Sequence, residues 1–376
     1  MRIAQIAPLY ESVPPRLYGG TERIVSWLTE ELVTQGHDVT LFASGDSVTR
    51  ARLVAGCPRS LRLDGRSVDR LAHHIVMLEE VASRASRFEV IHWHIDYLHF
   101  PLSRRIDRPG LTTLHGRLDI PDLLPVYRQF GDMPVVSISR AQRGPLPQAR
   151  WAGTVYHGLP RGLHRFQEGR GGYLAFLGRI SPEKRVDRAI EIARQAGIPL
   201  RIAAKIDPAD QHYFEREVAP LLRLPFVDYL GEIGEEEKSA FLGDALALLF
   251  PIDWREPFGI VMIEALACGT PVIAWPGGSV PEVIQDGVTG FLVSSIAAAA
   301  AAVRRVSRLS RSRCREEFDR RFTADRMARD YVRIYHRLVS DRPPAGRVVP
   351  VWPRGAPAAY PAGRAPVRPA RRVAER

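Results

Sequence analysis

The fold turns on residues 2–44, RIAQIAPLYESVPPRLYGGTERIVSWLTEELVTQGHDVTLFAS. An apolar run at 2–7 suits a strand. It leads through Gly19 and Gly20 into a stretch where Ile24, Val25, Trp27, Leu28 and Leu32 recur with the 3.6-residue period of a helix. Gly36 stops that helix, and 39–43 is apolar again. Strand, glycine loop, helix and strand make one β-α-β unit, and parallel strands of this kind are buried under helices on both faces.

The same rhythm continues along the chain. Strands are expected at 90–93, 111–114 and 135–138, and 154–156 closes a first series. The stretch HGLPRGLHRFQEGRGG, residues 157–172, holds five glycines and reads as a connection. The pattern then restarts, with strands expected at 173–177, 200–204, 227–230, 245–250, 271–274 and 290–293. The alanine run 297–302 reads as helix because alanine is the best helix former, and a last helix is expected at 323–339. The fold class is α/β: two doubly wound, Rossmann-like domains facing a cleft, over residues 1–165 and 166–322. A terminal helix follows at 323–340, then a disordered Pro/Arg-rich tail at 341–376.

Composition narrows the function classes. The chain has 376 residues, 45% hydrophobic and 25% charged, an ordinary globular mixture with room for more than one core. Its net charge of +11 would suggest nucleic acid if it were spread over the folded body. However, +6 of it lies in 341–376, where eight arginines and eight prolines cannot bury enough apolar surface to order. No nucleic-acid partner is expected, although such a tail suits peripheral contact with acidic lipid. Cys57, Cys268 and Cys314 are widely spaced and odd in number, so neither a disulfide framework nor a zinc site is implied. No apolar run approaches membrane-spanning length. A cytoplasmic protein is expected, with the inner membrane face as a place of peripheral contact.

Doubly wound sheets bind ligands beyond the carboxyl ends of their strands. Four groups are expected there: Gly19-Gly20, His115-Gly116, Gly178-Arg179 with Lys184, and the run from Glu256 to Glu264. In the last, Gly259 permits a tight turn into a helix. The N–H groups of Phe258, Gly259 and Ile260 and the positive end of that helix suit an anion such as a diphosphate, while Glu256 and Glu264 can accept hydrogen bonds from sugar hydroxyls. Arg179 and Lys184 supply cations for phosphate oxygens.

GGTERIVSWLTEELVTQGHDVTLFASG at 19–45, TLHGR at 113–117, FLGRISPEKRVDRAI at 176–190 and EPFGIVMIEALACGTPVIA at 256–274 together resemble the retaining GT-B glycosyltransferases of family 4, also termed glycosyl transferases group 1. The likeness runs over about residues 1 to 338. It implies transfer of a hexosyl group from a UDP- or GDP-linked sugar to a hydroxyl acceptor, which could be a sugar, a lipid-linked molecule or a small metabolite. By resemblance, Glu264 binds the donor ribose, Glu256 a hydroxyl of the transferred sugar, and the backbone of 258–260 the sugar and phosphates. Arg179 and Lys184 hold the diphosphate. Gly19 and Gly20 close over it, His115 lies near the transferred sugar, and Gly231 to Ile233 line the base pocket. The family's Asn-Gly pair at the interdomain connection is His157-Gly158 here. No Asp-x-Asp motif is present, so neither a metal nor a cofactor is expected beyond the donor itself. Catalysis would rest on Arg179, Lys184 and the helix at Gly259 stabilising the departing nucleoside diphosphate, with the leaving phosphate deprotonating the acceptor.

His92, His94 and His99 with Asp96 superficially resemble a metal cluster. Strand alternation puts His92 and His94 on one face, and with Asp96 they are expected to line the acceptor side. His73-His74 read as structural. Trp93, Tyr97 and Phe100 read as core or as stacking platforms for an acceptor. Two other functions are compatible with the architecture: a nucleotide-sugar-binding protein without turnover, and a sugar-nucleotide epimerase, which would need an acid/base set that these residues do not offer.

Overall fold

The computed structural model of the protein describes residues 1–16, 19–62, 64–65, 67–169 and 171–341. Apart from Asp341, the expected disordered tail lies outside them. Strands β1 (Arg2–Ile6), β2 (Asp38–Ser44), β3 (Arg52–Cys57), β4 (Val90–Trp93), β5 (Gly110–Leu114), β6 (Val135–Ser137) and β7 (Trp151–Thr154) form one sheet in the order β3-β2-β1-β4-β5-β6-β7. Strands β8 (Leu174–Ile180), β9 (Leu200–Ile206), β10 (Val227–Gly231), β11 (Ala247–Phe250), β12 (Val272–Ala274) and β13 (Gly290–Leu292) form a second, ordered β10-β9-β8-β11-β12-β13. Every pairing in both is parallel.

These orders locate the ligand. In the first sheet the winding reverses between β1 and β4, and in the second between β8 and β11. Helices leave in opposite directions at such a reversal and open a crevice above the strand ends. Gly19-Gly20 follow β1, His94 and Asp96 follow β4, and Lys184 and Glu256 follow β8 and β11.

Apolar clusters cover both faces of each sheet. On the first, Ile3, Val90, Leu111 and Val136 pack with Ile24 and Leu28 of the helix Gly20–Thr34. The same cluster takes Met327, Tyr331, Ile334 and Tyr335 from the terminal helix Ala324–Ser340, which crosses back over the first sheet. Its start pins the connection between the sheets: Leu159 donates to Phe322 O at 2.9 Å, and Ala324 donates to Leu159 O at 2.8 Å. Gly158 is required here, because a Cβ would overlap the Thr323 carbonyl oxygen.

Three elements depart from expectation. Strand β3 has no counterpart in the sequence reading: it lies at a sheet edge, half-buried over most of its length, so it carries no sustained apolar run. The last strand of the first sheet is Trp151–Thr154 rather than 154–156, again a half-buried edge strand. Strand β8 extends to Ile180, so Gly178 and Arg179 sit within it, paired with Ala204 and Lys205 of β9, and not in the following turn. The polar Arg179 hides that continuation from any hydrophobic count.

Candidate functional site

A cleft of about 840 Å³ opens between the carboxyl ends of the two sheets. Gly19, Gly20, His94, Asp96, His115, Gly178, Arg179, Lys184, Ile233, Glu256, Phe258, Gly259, Ile260 and Glu264 all line it. His92 does not belong with them. It is fully buried, bonded to Thr113 and to Tyr335 of the terminal helix, which covers that part of the face it shares with His94.

On the carboxyl-terminal wall, Gly259 precedes the helix Ile260–Ala267 with φ of +76°, and a Cβ there would lie 2.7 Å from Met262 Cε. Glycine therefore sets both the turn and the close packing that aim this helix into the cleft. The first-turn N–H groups of any helix lack intrahelical partners, so they and the dipole face the space beside Phe258.

Charged side chains surround that helix start. Glu256, buried, accepts hydrogen bonds on one carboxylate oxygen from Lys184 Nζ and, at 3.0 Å, from Trp254 Nε1. The Lys184 ammonium also stands 4.9 Å from the Trp254 ring centre and 5.4 Å from that of Phe250. Arg179 donates to Glu183, and its Nε is 3.4 Å from Asp210. Both cations expected at the diphosphate thus stand in the cleft, each held by a carboxylate.

Glu264 is buried deeper. Lys238 Nζ donates to it at 2.8 Å, and His164 Nε2 and Arg23 Nη1 each lie 3.9 Å away. Burial alone would raise its pKa, but the Lys238 charge and the His164 imidazole hold it well below the ordinary carboxylate value. Lys238 also bonds Glu235 at 3.2 Å. Glu235 in turn pairs with Arg23, which belongs to the helix Gly20–Thr34 on the opposite wall, so this ion pair spans the cleft. His164, Glu235 and Glu264 bring ligand-type atoms within 4.8 Å of one another, but the Lys238 ammonium already bridges the two carboxylates.

The amino-terminal wall is built of imidazoles. His115 Nε2 lies 2.9 Å from His94 Nδ1, and His94 Nε2 lies 2.7 Å from Gln5 Oε1. The His115 ring stacks on that of His157 at 5.4 Å and 17°. His157 meets the Phe258 ring edge-on at 4.9 Å. Burial lowers His115 to about 3 and holds His94 and His157 well below the ordinary imidazole value, so all three are neutral. Asp96 adopts φ of +50° and is open to cleft solvent, yet the protein around it pushes its carboxyl up to about 6. Nearby, Arg62 pairs with Glu11 at 3.1 Å, and Tyr10 and Tyr97 are exposed into the cleft. Trp93 and Phe100, by contrast, are core residues, with Trp93 stacked on His99 at 4.2 Å.

Sequence reasoning missed Lys238, Arg23, Glu235, His164 and Gln5. Lys238 and Glu235 follow β10, so the strand-end rule that found Arg179 could have flagged them. Gln5 lies inside a strand, and only the structure shows what it touches.

Comparison with known proteins is consistent with this geometry. The family described as Glycosyltransferase Family 4 matches residues 18–155, and Glycosyl transferases group 1 matches 165–324. An uncharacterized 41.2 kDa protein in the cps region of Klebsiella pneumoniae is 30% identical over 168 residues, which span 43% of this chain and 45% of that protein. Phosphatidyl-myo-inositol mannosyltransferase of Propionibacterium freudenreichii is 26% identical over 351 residues, covering 81% of this chain and 86% of that protein. The structure of Anabaena HepE in complex with UDP-glucose superposes with a TM-score of 0.66 at 17% identity, covering 90% of this chain and 100% of that one. The superposition carries the fold.

Proposed function

The chain belongs to glycosyltransferase family 4, with a group 1 domain as its second half, and from that premise we propose that it moves a hexosyl group from a nucleoside-diphosphate sugar to a hydroxyl acceptor, with retention of anomeric configuration and without a metal. The observation that carries this reading is the convergence of Arg179, Lys184 and the start of the helix Ile260–Ala267 on one space at the second sheet's reversal point. Departure of a nucleoside diphosphate builds negative charge on phosphate oxygens. Fixed cations and a helix N-terminus stabilise that charge with little reorganisation. A diphosphate arriving there would draw Lys184 and Arg179 from Glu256 and from Glu183 and Asp210, freeing Glu256 to accept a sugar hydroxyl. Glu264, kept ionised by Lys238, is an acceptor for the ribose. Lys238, by bridging Glu235 and Glu264, supplies the positive charge that a metal would otherwise bring. The three cysteines are free and buried, which suits a reducing compartment such as the cytoplasm.

The Anabaena protein was solved with UDP-glucose, which favours a uridine donor. For the acceptor, the mannosyltransferase of Propionibacterium is named for an anionic lipid, and the amino-terminal wall fits one. Arg62 and Leu71 line the cleft. From Leu71, which is 54% exposed, an apolar stripe continues along the helix Arg70–Arg84 through Ile75 at 52% and Val76 at 66%. The acceptor is accordingly an anionic molecule carrying an apolar chain. The test is a donor-hydrolysis and transfer panel of UDP- and GDP-sugars with EDTA present, with and without phosphatidylinositol vesicles. Nucleoside diphosphate release that is lost in Arg179→Ala supports the reading. Tight binding without release in any combination would point instead to a binding protein, and sugar interconversion without transfer to an epimerase.

A further inference from the structure

The buried imidazoles of the first half form a directed chain. Tyr331 OH lies 2.8 Å from Thr113 Oγ1, Thr113 Oγ1 lies 2.7 Å from His92 Nε2, and His92 Nδ1 lies 2.7 Å from Tyr335 OH. Gln5 Nε2 donates to the same Tyr335 hydroxyl at 3.1 Å, which leaves Gln5 Oε1 facing His94 Nε2 at 2.7 Å. A carbonyl oxygen only accepts, so His94 carries its proton on Nε2. The other His94 nitrogen, Nδ1, is then bare and accepts from His115 Nε2 at 2.9 Å. His115 Nδ1 is in consequence a lone pair without a hydrogen. It is buried and has no partner among the described residues, on a residue that lines the cleft. An unmet acceptor in a neutral, desolvated wall calls for a donor supplied by a ligand.

We propose that Gln5 and His94 are positioning residues that fix His115 in the Nε2–H tautomer, so that its Nδ1 accepts a hydrogen bond from a hydroxyl of the transferred sugar. The sugar contact rests on the reading given under Proposed function; the tautomer does not. The anchor is Tyr335, whose hydroxyl accepts from the Gln5 amide nitrogen while its own proton goes to His92 Nδ1, which leaves the amide oxygen for His94. The specificity that results is one of polarity: a sugar substituent that donates is accepted, and one that only accepts, such as fluorine at the same carbon, meets lone pair against lone pair.

The direct test is nitrogen NMR of the full-length protein labelled in its histidine rings, with the His115 signals identified by their loss in His115→Asn. The expected result for the free protein is an unprotonated Nδ1 and a protonated Nε2; the reverse pattern overturns the proposal. Tyr335→Phe, an isosteric change remote from the cleft, and Gln5→Met are both expected to bring the two nitrogens toward an averaged, mixed-tautomer position. An unaltered pattern in both overturns the relay. Addition of UDP-glucose, or of GDP-mannose if the former does not bind, should shift Nδ1, and UDP or GDP alone should not. A bound donor that leaves Nδ1 unmoved overturns the sugar contact. If no nucleotide sugar binds, the glycosyl-transfer reading and the sugar contact fall together, and the tautomer stands or falls on the free-protein spectrum. With turnover in hand, Gln5→Met should lower kcat/KM roughly tenfold, and replacing the contacted hydroxyl by fluorine should lower it by a similar factor in the native protein only.

Discussion

Lys238 Nζ lies 2.8 Å from Glu264 Oε1, and both side chains are buried. Removing the ammonium strands an ionised carboxylate in the protein interior. Lys238→Met is expected to destabilise the fold by about 3–5 kcal/mol, read by chemical denaturation at pH 7. Because the folded-state pKa of Glu264 is depressed, its contribution is present above its ordinary value of 4.5 and is lost as pH falls below that. The difference between native and variant proteins should therefore be largest near neutrality and shrink in acid. A difference independent of pH would show that the pair does not hold Glu264 ionised.

Lys184 lines the cleft with the helix start and bonds Glu256. Lys184→Ala should reduce donor turnover roughly 10²–10³-fold, the usual effect of deleting one group that stabilises transition-state charge. Steady-state kinetics and calorimetric donor affinity separate the two contributions: a loss confined to affinity would place Lys184 in ground-state binding alone.

The protein packed around Asp96 pushes its carboxyl up to about 6, above its ordinary 3.8. Between those values the folded state holds the proton more tightly than the unfolded chain, so this residue makes stability fall as pH rises through that window. Asp96→Asn should remove that part of the pH dependence of Tm, and asparagine tolerates the positive φ that the position requires. Persistence of the slope in the variant would assign it to another group.

Glu282 joins the two halves. Its carboxylate accepts from the N–H groups of Arg140 at 2.8 Å and Ala141 at 2.7 Å and from the Tyr156 hydroxyl at 2.8 Å. Glu282→Ala should cost about 1.5–3 kcal/mol, the worth of hydrogen bonds to a charged group. It should also loosen the halves, measurable as faster proteolysis within 155–173.

Gly259 offers a backbone test. Alanine there would adopt a left-handed conformation costing roughly 1–2 kcal/mol and press on Met262. Gly259→Ala should lower Tm and weaken donor binding together, while a variant with native Tm and affinity would show that this turn is not set by glycine.

Much of this was legible in the sequence, and particular residues show why. The strand at Val90–Trp93 was readable to the residue because three of its four buried side chains, Val90, Ile91 and Trp93, are large and apolar. Glu256 to Glu264 was readable because its chemistry is local: a glycine turn entering a helix. Residues whose role depends on a distant partner were not. Lys238 meets Glu264 across 26 positions and Arg23 meets Glu235 across 212, pairings that only the packed fold decides. His92 shows the limit of strand alternation, which puts it on the face of His94 but does not reveal that a helix from the far end of the chain covers one and spares the other.

That helix also sets an order of events during synthesis. The first sheet is complete in sequence at Thr154, but one of its faces, packed by then only with the helix Gly20–Thr34, stays partly uncovered until Met327, Tyr331 and Tyr335 arrive. At ribosomal speed the interval is on the order of ten to forty seconds. Throughout it the nascent first half exposes the part of the apolar face that the terminal helix will cover. A chain shortened before Ala324 would leave that part uncovered, so the amino-terminal half takes the completion of its core from the far end of the sequence.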